Sequence, residues 1–348
     1  MVGRKKERIE WIDFGKGLTV LLVVIGHVIL GLFESNQFPQ DNHQLLFFTQ
    51  IFYLFHIPVF FALSGYFFKP VENIVQYKDY LFQKIITLGI PYLFYSIIQF
   101  SLQTLGGSAV RDAAKLSDLF NIYQKPFGVS WYLYTLWWIY IVFGFISIKV
   151  KSQYTLLAIS FVGFLLALFI PFDSYILQKL SLWSLFFILG YYLKQSQLDK
   201  HLKTYWLQYS FATLSLIIVF LIFWNDSNPV HYISYTRPDF WGVIFIVSVF
   251  LAFAIYPRLS ACKFLGNYFT TIGKDSIIVY LLHGPIVSIS RIILLKLNVY
   301  STLLHIIVGV ALGWFGSVLA ICIFKRIPYI DFVFYPMKYI KLDKNKQM

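Results

Sequence analysis

The chain has 348 residues, of which 58% are hydrophobic and only 13% charged, and its mean hydropathy is +0.68. Such values exclude a water-soluble domain and mark a polytopic membrane protein. The net charge of +13 is compatible with nucleic acid, but its placement along the chain follows membrane topology, so no nucleic-acid partner is expected.

The chain opens on the cations Arg4, Lys5, Lys6 and Arg8 and then turns apolar. A secretory signal starts in the same way. This run, however, lacks a small-residue cleavage pattern and carries polar residues within it, so it reads as a retained first span. Apolar runs of bilayer length predict helices at about 13–33, 45–68, 82–105, 130–148, 154–172, 177–194, 204–224, 239–257, 275–295 and 302–324. The expected fold class is therefore all-α, a polytopic membrane helix bundle of about ten transmembrane helices. It forms one membrane-embedded domain over 1–348, flanked by a basic segment 1–12 and a tail 325–348.

An even number of crossings puts both termini on one side of the bilayer. Lys and Arg, summed over alternate segments, divide twenty-two to seven in favour of the side bearing the N-terminus. That asymmetry places both termini in the cytoplasm. The sixth span is short and flanked by Asp173 and Lys179; losing it would invert everything downstream and erase the asymmetry. Cys262 and Cys322 fall on the cytoplasmic side, where no disulfide is expected. Two outer segments, 106–129 and 225–239, the second with Pro229, His231, Arg237 and Pro238, are long enough to cover a site or bind an acceptor, or simply to connect. The tail mixes aromatics with Lys and Arg and suits a surface of anionic lipid.

Polar residues inside the spans carry the chemistry. Asp13, Lys16 and His27 lie in or at the start of the first span, where lipid-facing sequence tolerates none of them. Eleven steps lead from Lys16 to His27, which puts both within roughly 20° on one helical face and about 16 Å apart along the axis. Val20 and Val23 complete that stripe. His56 is followed by Pro58 and Ser64-Gly65, and His283 by Gly284-Pro285, devices that bend a helix or let another approach closely. His27, His56 and His283 are all placed to reach one central cavity. An imidazole takes up and returns a proton near neutral pH, as O-acylation of a hydroxyl requires. The plainer alternative is that each histidine hydrogen-bonds a neighbouring helix. Asp13 either holds Lys16 or Arg8 in place or caps the helix start. Gly273-Lys274-Asp275-Ser276 reads as a turn followed by a helix N-cap.

Three stretches carry a resemblance: Trp11-Ile12-Asp13 with Lys16-Gly17 and Gly26-His27; Phe55-His56-Ile57-Pro58 through Ser64-Gly65; and Tyr280-Leu281-Leu282-His283-Gly284-Pro285. Ser130-Trp131-Tyr132-Leu133 adds a fourth, although aromatics at a span end also suit the interfacial belt. In order and spacing they resemble the acyltransferase-3 family of integral-membrane O-acyltransferases, in the branch similar to fucose 4-O-acetylases. Where many members carry Arg eleven positions before the His, this chain has Lys16, a point charge without the bidentate fork.

The resemblance implies an acyltransferase of the bacterial plasma membrane. A cytoplasmic acyl-CoA, most often acetyl-CoA, would donate an acyl group to a hydroxyl of a cell-surface polysaccharide or other glycan. His27, with His56 and His283 as further catalytic candidates, would act as general base or as transient acyl carrier. Arg8, Asp13 and Lys16 would bind or position the donor. No metal and no bound cofactor are expected, the lipid bilayer is the solvent, and self-association into a homo-oligomer stays open. The rival readings are an exporter of a glycan or lipid-linked sugar, with these residues lining a pathway, and an inactive scaffold for polysaccharide assembly.

Overall fold

In a computed structural model that describes residues 9–106, 114–223, 235 and 237–340, no strand occurs among the described residues. The first half of the chain forms α1 (Glu10–Ser35), α2 (Asn42–Gly65), α3 (Ile74–Lys84), α4 (Ile90–Gly106), α5 (Leu116–Phe120), α6 (Trp131–Lys149) and α7 (Gln153–Phe169). The second half forms α8 (Tyr175–Gln195), α9 (Leu198–Thr204), α10 (Trp206–Phe223), α11 (Ile244–Leu259), α12 (Lys263–Gly273), α13 (Ser276–Lys296) and α14 (Thr302–Arg326).

Among the described residues, nine helical runs are at least 18 residues long and apolar enough to cross a membrane. They account for nine of the ten expected spans. The remaining one, expected over 154–172, is α7, a shorter apolar helix of 17 residues. Its end has a local cause: Pro171 disfavours helical backbone at the residue before it, and Ile170 is already extended at φ −100°, ψ 121°. The third span begins earlier than expected, because α3 and α4 form one run, Ile74–Gly106, joined by a π-helical turn over Ile85–Gly89. Pro91 lacks the N–H that would close an ordinary α turn, and the wider turn lies where that bond is missing.

The first helix is the hub. α1 packs against α2, α11, α12, α13 and α14, and Val20, Val23 and Val24 are fully buried. Its closest neighbour is α12, an amphipathic helix too short to span and not foreseen in the sequence. A Cβ on Gly273 would lie 1.7 Å from the Asp13 carbonyl oxygen, and one on Gly17 would lie 2.1 Å from that of Phe269. The two backbones therefore touch, and only hydrogen fits between them. Two helix starts differ from expectation. The N-cap of α1 is Ile9, without a side-chain cap bond, and Asp13 lies inside the first turn. Asp275 does precede α13, but its carboxylate makes no cap bond. Instead it accepts hydrogen bonds from Lys325 and from the Tyr335 hydroxyl, tying α13 to the end of α14 and the segment beyond it.

Candidate active site

The structure brings the three intramembrane histidines together. The His27 ring lies 5.0 Å from that of His283 and 6.2 Å from that of His56, centroid to centroid. Each ring is held by its own helix. His27 Nδ1 is 2.9 Å from the Val23 carbonyl oxygen, His56 Nδ1 is 2.6 Å from that of Phe52, and His283 Nδ1 is 3.1 Å from that of Val279. A carbonyl oxygen only accepts, so in each neutral ring the proton resides on Nδ1 and the lone pair on Nε2. The Nε2 atoms of His56 and His283 are buried with no hydrogen-bond partner among the described residues. Two nitrogens without a partner thus stand on rings that adjoin the His27 imidazole.

The Gly-His dipeptide now has a physical reason. A Cβ on Gly26 would come within 3.2 Å of Phe52 Cβ and 3.4 Å of His56 Cε1; without one, α2 approaches closely enough to set His56 beside His27. Aromatic rings complete the setting. Tyr53 packs edge-on against His56 at 4.7 Å, and Tyr235 stacks on Tyr53 at 4.9 Å. The Tyr235 hydroxyl donates to the Tyr53 carbonyl at 2.5 Å. Lys179, 5% exposed, donates from Nζ to the Tyr235 carbonyl at 2.7 Å and lies over the Trp131 ring. The sequence showed Lys179 only as a charge flanking a short span; the structure turns it inward to hold Tyr235 over the cluster.

His27 is half-buried and lines a cleft of about 150 Å³ with Glu34, Gln99, Gly128, Ser288 and Arg291. Arg291 donates to the Gly31 carbonyl at 2.5 Å, fixing α13 to α1 beside the cleft. At the other end of α1 lies a larger cavity of about 550 Å³, lined by Asp13, Lys16, Phe67, Lys69, Lys194 and Lys274 among others. Lys16 and Lys194 both lie over the Phe67 ring, at 5.0 and 5.6 Å. Four ammonium groups thus surround one hollow, a charge distribution suited to a polyanion. Between the two chambers the α1 stripe is filled by Val20 and Val23. Among the described residues no three His, Cys, Asp or Glu side chains are grouped so as to hold a metal ion.

Of the residues singled out in the sequence, Asp13 and Lys16 line the cationic cavity and the three histidines form the cluster. Arg8, with the rest of the basic start, lies outside the described residues, as do Pro229 and His231. Lys69 and Lys194 were visible only as charges that set the topology, and Lys274 as one of those charges and as part of a turn. Tyr53, Tyr235 and Gln99 gave no sequence signal beyond their polarity, and Arg291 only its place among the seven cations of the outer side.

A family model described as an acyltransferase domain matches residues 9–322. The nodulation protein NolL of Mesorhizobium japonicum is 26% identical over 148 residues, which is 42% of this chain and 37% of the relative. The protein of the same name from Sinorhizobium fredii is 25% identical over 147 residues, again 42% and 37%. The match thus spans well under half the length of these curated relatives. No solved structure matches the chain.

Proposed function

Because the chain belongs to the acyltransferase-3 family, whose model covers nearly all of it, we propose that it is a membrane O-acyltransferase. It takes an acyl group, acetyl in the first instance, from cytoplasmic acyl-CoA and passes it to a hydroxyl of a cell-surface glycan. The narrower affinity to fucose 4-O-acetylases rests on the sequence blocks alone. The observation that carries the reading is His27: its Nδ1 is committed to the Val23 carbonyl, and its ring lines an accessible cleft. In the transfer, the acceptor oxygen bonds to the acyl carbon and the thioester C–S bond breaks. The hydroxyl proton goes to His27 Nε2 and from there to the departing thiolate. His27 as a covalent acyl carrier divides the same exchange into two steps. The purified protein with labelled acetyl-CoA is expected to move label to a saccharide or, slowly, to water; label that stays on CoA under all acceptors defeats the proposal.

The donor belongs at the cationic cavity. Its lysines meet the phosphates of CoA, and the roughly 16 Å rise from Lys16 to His27 is on the scale of an extended pantetheine arm. Lys16→Gln and Lys194→Gln are each expected to raise KM for acetyl-CoA several-fold with kcat nearly unchanged, and added salt is expected to do the same to the unaltered enzyme. Lys16→Arg is expected to be tolerated. A donor KM that ignores both charge and salt would return these lysines to a purely topological role.

This assignment needs the termini and the cationic cavity in the cytoplasm and the His27 cleft open to the outside. In a variant lacking Cys262 and Cys322, cysteines introduced at Gln40 or Leu116 are expected to react with an impermeant thiol reagent on intact cells, and one at Lys200 only after lysis. Labelling at Lys200 on intact cells would reverse the part of the bundle that contains α8 and α9.

A further inference from the structure

The His27 cleft is small. Its volume of about 150 Å³ equals the liquid-phase share of about five waters, room for about one sugar ring. Gly128 lines this cleft and also a second cavity of about 570 Å³, enough for several rings. That second hollow is a groove lined by Gln103, Asp118, Asn121, Gln124, Lys125 and Phe127, with few other residues. Its chemistry differs from that of the lysine-lined cavity: among its described residues are three primary amides, one acid and one base, with no excess of charge. An amide presents donors and an acceptor side by side, the pattern that matches vicinal hydroxyls.

The groove has a fixed floor. The Tyr92 hydroxyl donates to the Ile122 carbonyl and the Tyr134 hydroxyl to the Tyr123 carbonyl, each at 2.5 Å. Two tyrosines from α4 and α6 thus pin the turn that carries Asn121 and Gln124, whose side chains remain exposed. Such support under polar side chains is what a binding surface needs in order to keep its geometry. At the joint, Gly128 has φ +45°, a conformation that side chains disfavour. A Cβ there would lie 3.6 Å from Gln99 Nε2, and Gln99 itself lines the His27 cleft.

We propose that this groove is an oligosaccharide subsite: it holds the sugars flanking the one acylated, while that one occupies the cleft at His27 and the chain passes over Gly128. The proposal rests on the acyltransferase reading and adds that the acceptor is recognised over at least two sugar units. The test uses the purified full chain and a size ladder of oligosaccharides released from the host's own surface glycan, measured first by calorimetric binding without acyl-CoA and then by acyl transfer. Affinity is expected to rise with length. Asn121→Ala combined with Gln124→Ala is expected to weaken binding of the longer acceptors about tenfold, the loss of two net hydrogen bonds. Monosaccharide acylation and hydrolysis of acetyl-CoA should stay unchanged in that variant. Because both side chains are exposed, folding is not at stake, and Asn121→Gln is expected to recover part of the affinity. Equal affinity for short and long acceptors, or a variant effect independent of length, overturns the subsite. Length-dependent binding without any acyl transfer would instead sink the enzymatic reading and leave the groove standing.

Discussion

His27→Gln is expected to lower acyl transfer by roughly 100-fold to 10,000-fold, the usual cost of losing a positioned proton acceptor, with no loss of membrane-inserted protein. Glutamine keeps a hydrogen-bonding end but cannot take up the hydroxyl proton or carry an acyl group as imidazole does. The geometry sharpens the comparison among the three histidines. His27 alone of the three lines the cleft, whereas the His56 and His283 Nε2 atoms are fully buried. His56→Gln and His283→Gln should therefore act through the packing and orientation of His27, with smaller losses. The measurement is acylation of a saccharide acceptor at matched protein levels. Near-normal turnover by His27→Gln would end its role, and a larger loss at His56 or His283 would transfer that role to them.

The second large effect concerns assembly. Gly273→Ala places a carbon 1.7 Å from the Asp13 carbonyl oxygen, far inside van der Waals contact, and the opposing atom is backbone that cannot rotate away. Relieving the clash requires α12 to move off α1, which opens the cationic cavity that Asp13 and Gly273 both line. Overpacking typically costs about 1–3 kcal/mol, and a clash against backbone belongs at the upper end of that range. In detergent, the variant is expected to show a clear fall in thermal midpoint and folded yield. Gly163→Ala in α7 is the control, since its nearest neighbour would be 3.6 Å away; there the better helix propensity of Ala should leave stability level or raised. Equal behaviour of the two variants would mean that α1 and α12 do not touch.

The histidine cluster was legible in the sequence because polar groups inside spans are expensive and few. His27, His56 and His283 needed no pairing information to be singled out, only their depth. Their orientation was not legible. It depends on Gly26 admitting α2, and on Tyr235 reaching back to Tyr53 from far along the chain, and neither contact leaves a periodic trace. The cationic cavity was half legible. Lys16 stood out by its register with His27, while Lys69, Lys194 and Lys274 carried the same signal as every cation that keeps a loop inside. Helix α12 escaped because a short amphipathic helix between spans reads as a connecting loop. The early end of α7 is written in Pro171, but the apolar residues on either side of it carry the hydropathy run through to residue 172.

The valines at 20 and 23 bear on the energetics of the cell as well as on packing. On the proposed topology, one chamber of the protein opens to the cytoplasm and the other to the outside of a membrane that stores an electrochemical gradient. A water-filled passage joining them would let protons run down that gradient through the histidines, since imidazoles in sequence conduct protons well. With both valines fully buried on the α1 stripe, that stripe is dry between the chambers. On the proposed reaction the protein resembles an airlock: the acyl group is handed across an insulating layer that opens only around the donor's narrow arm.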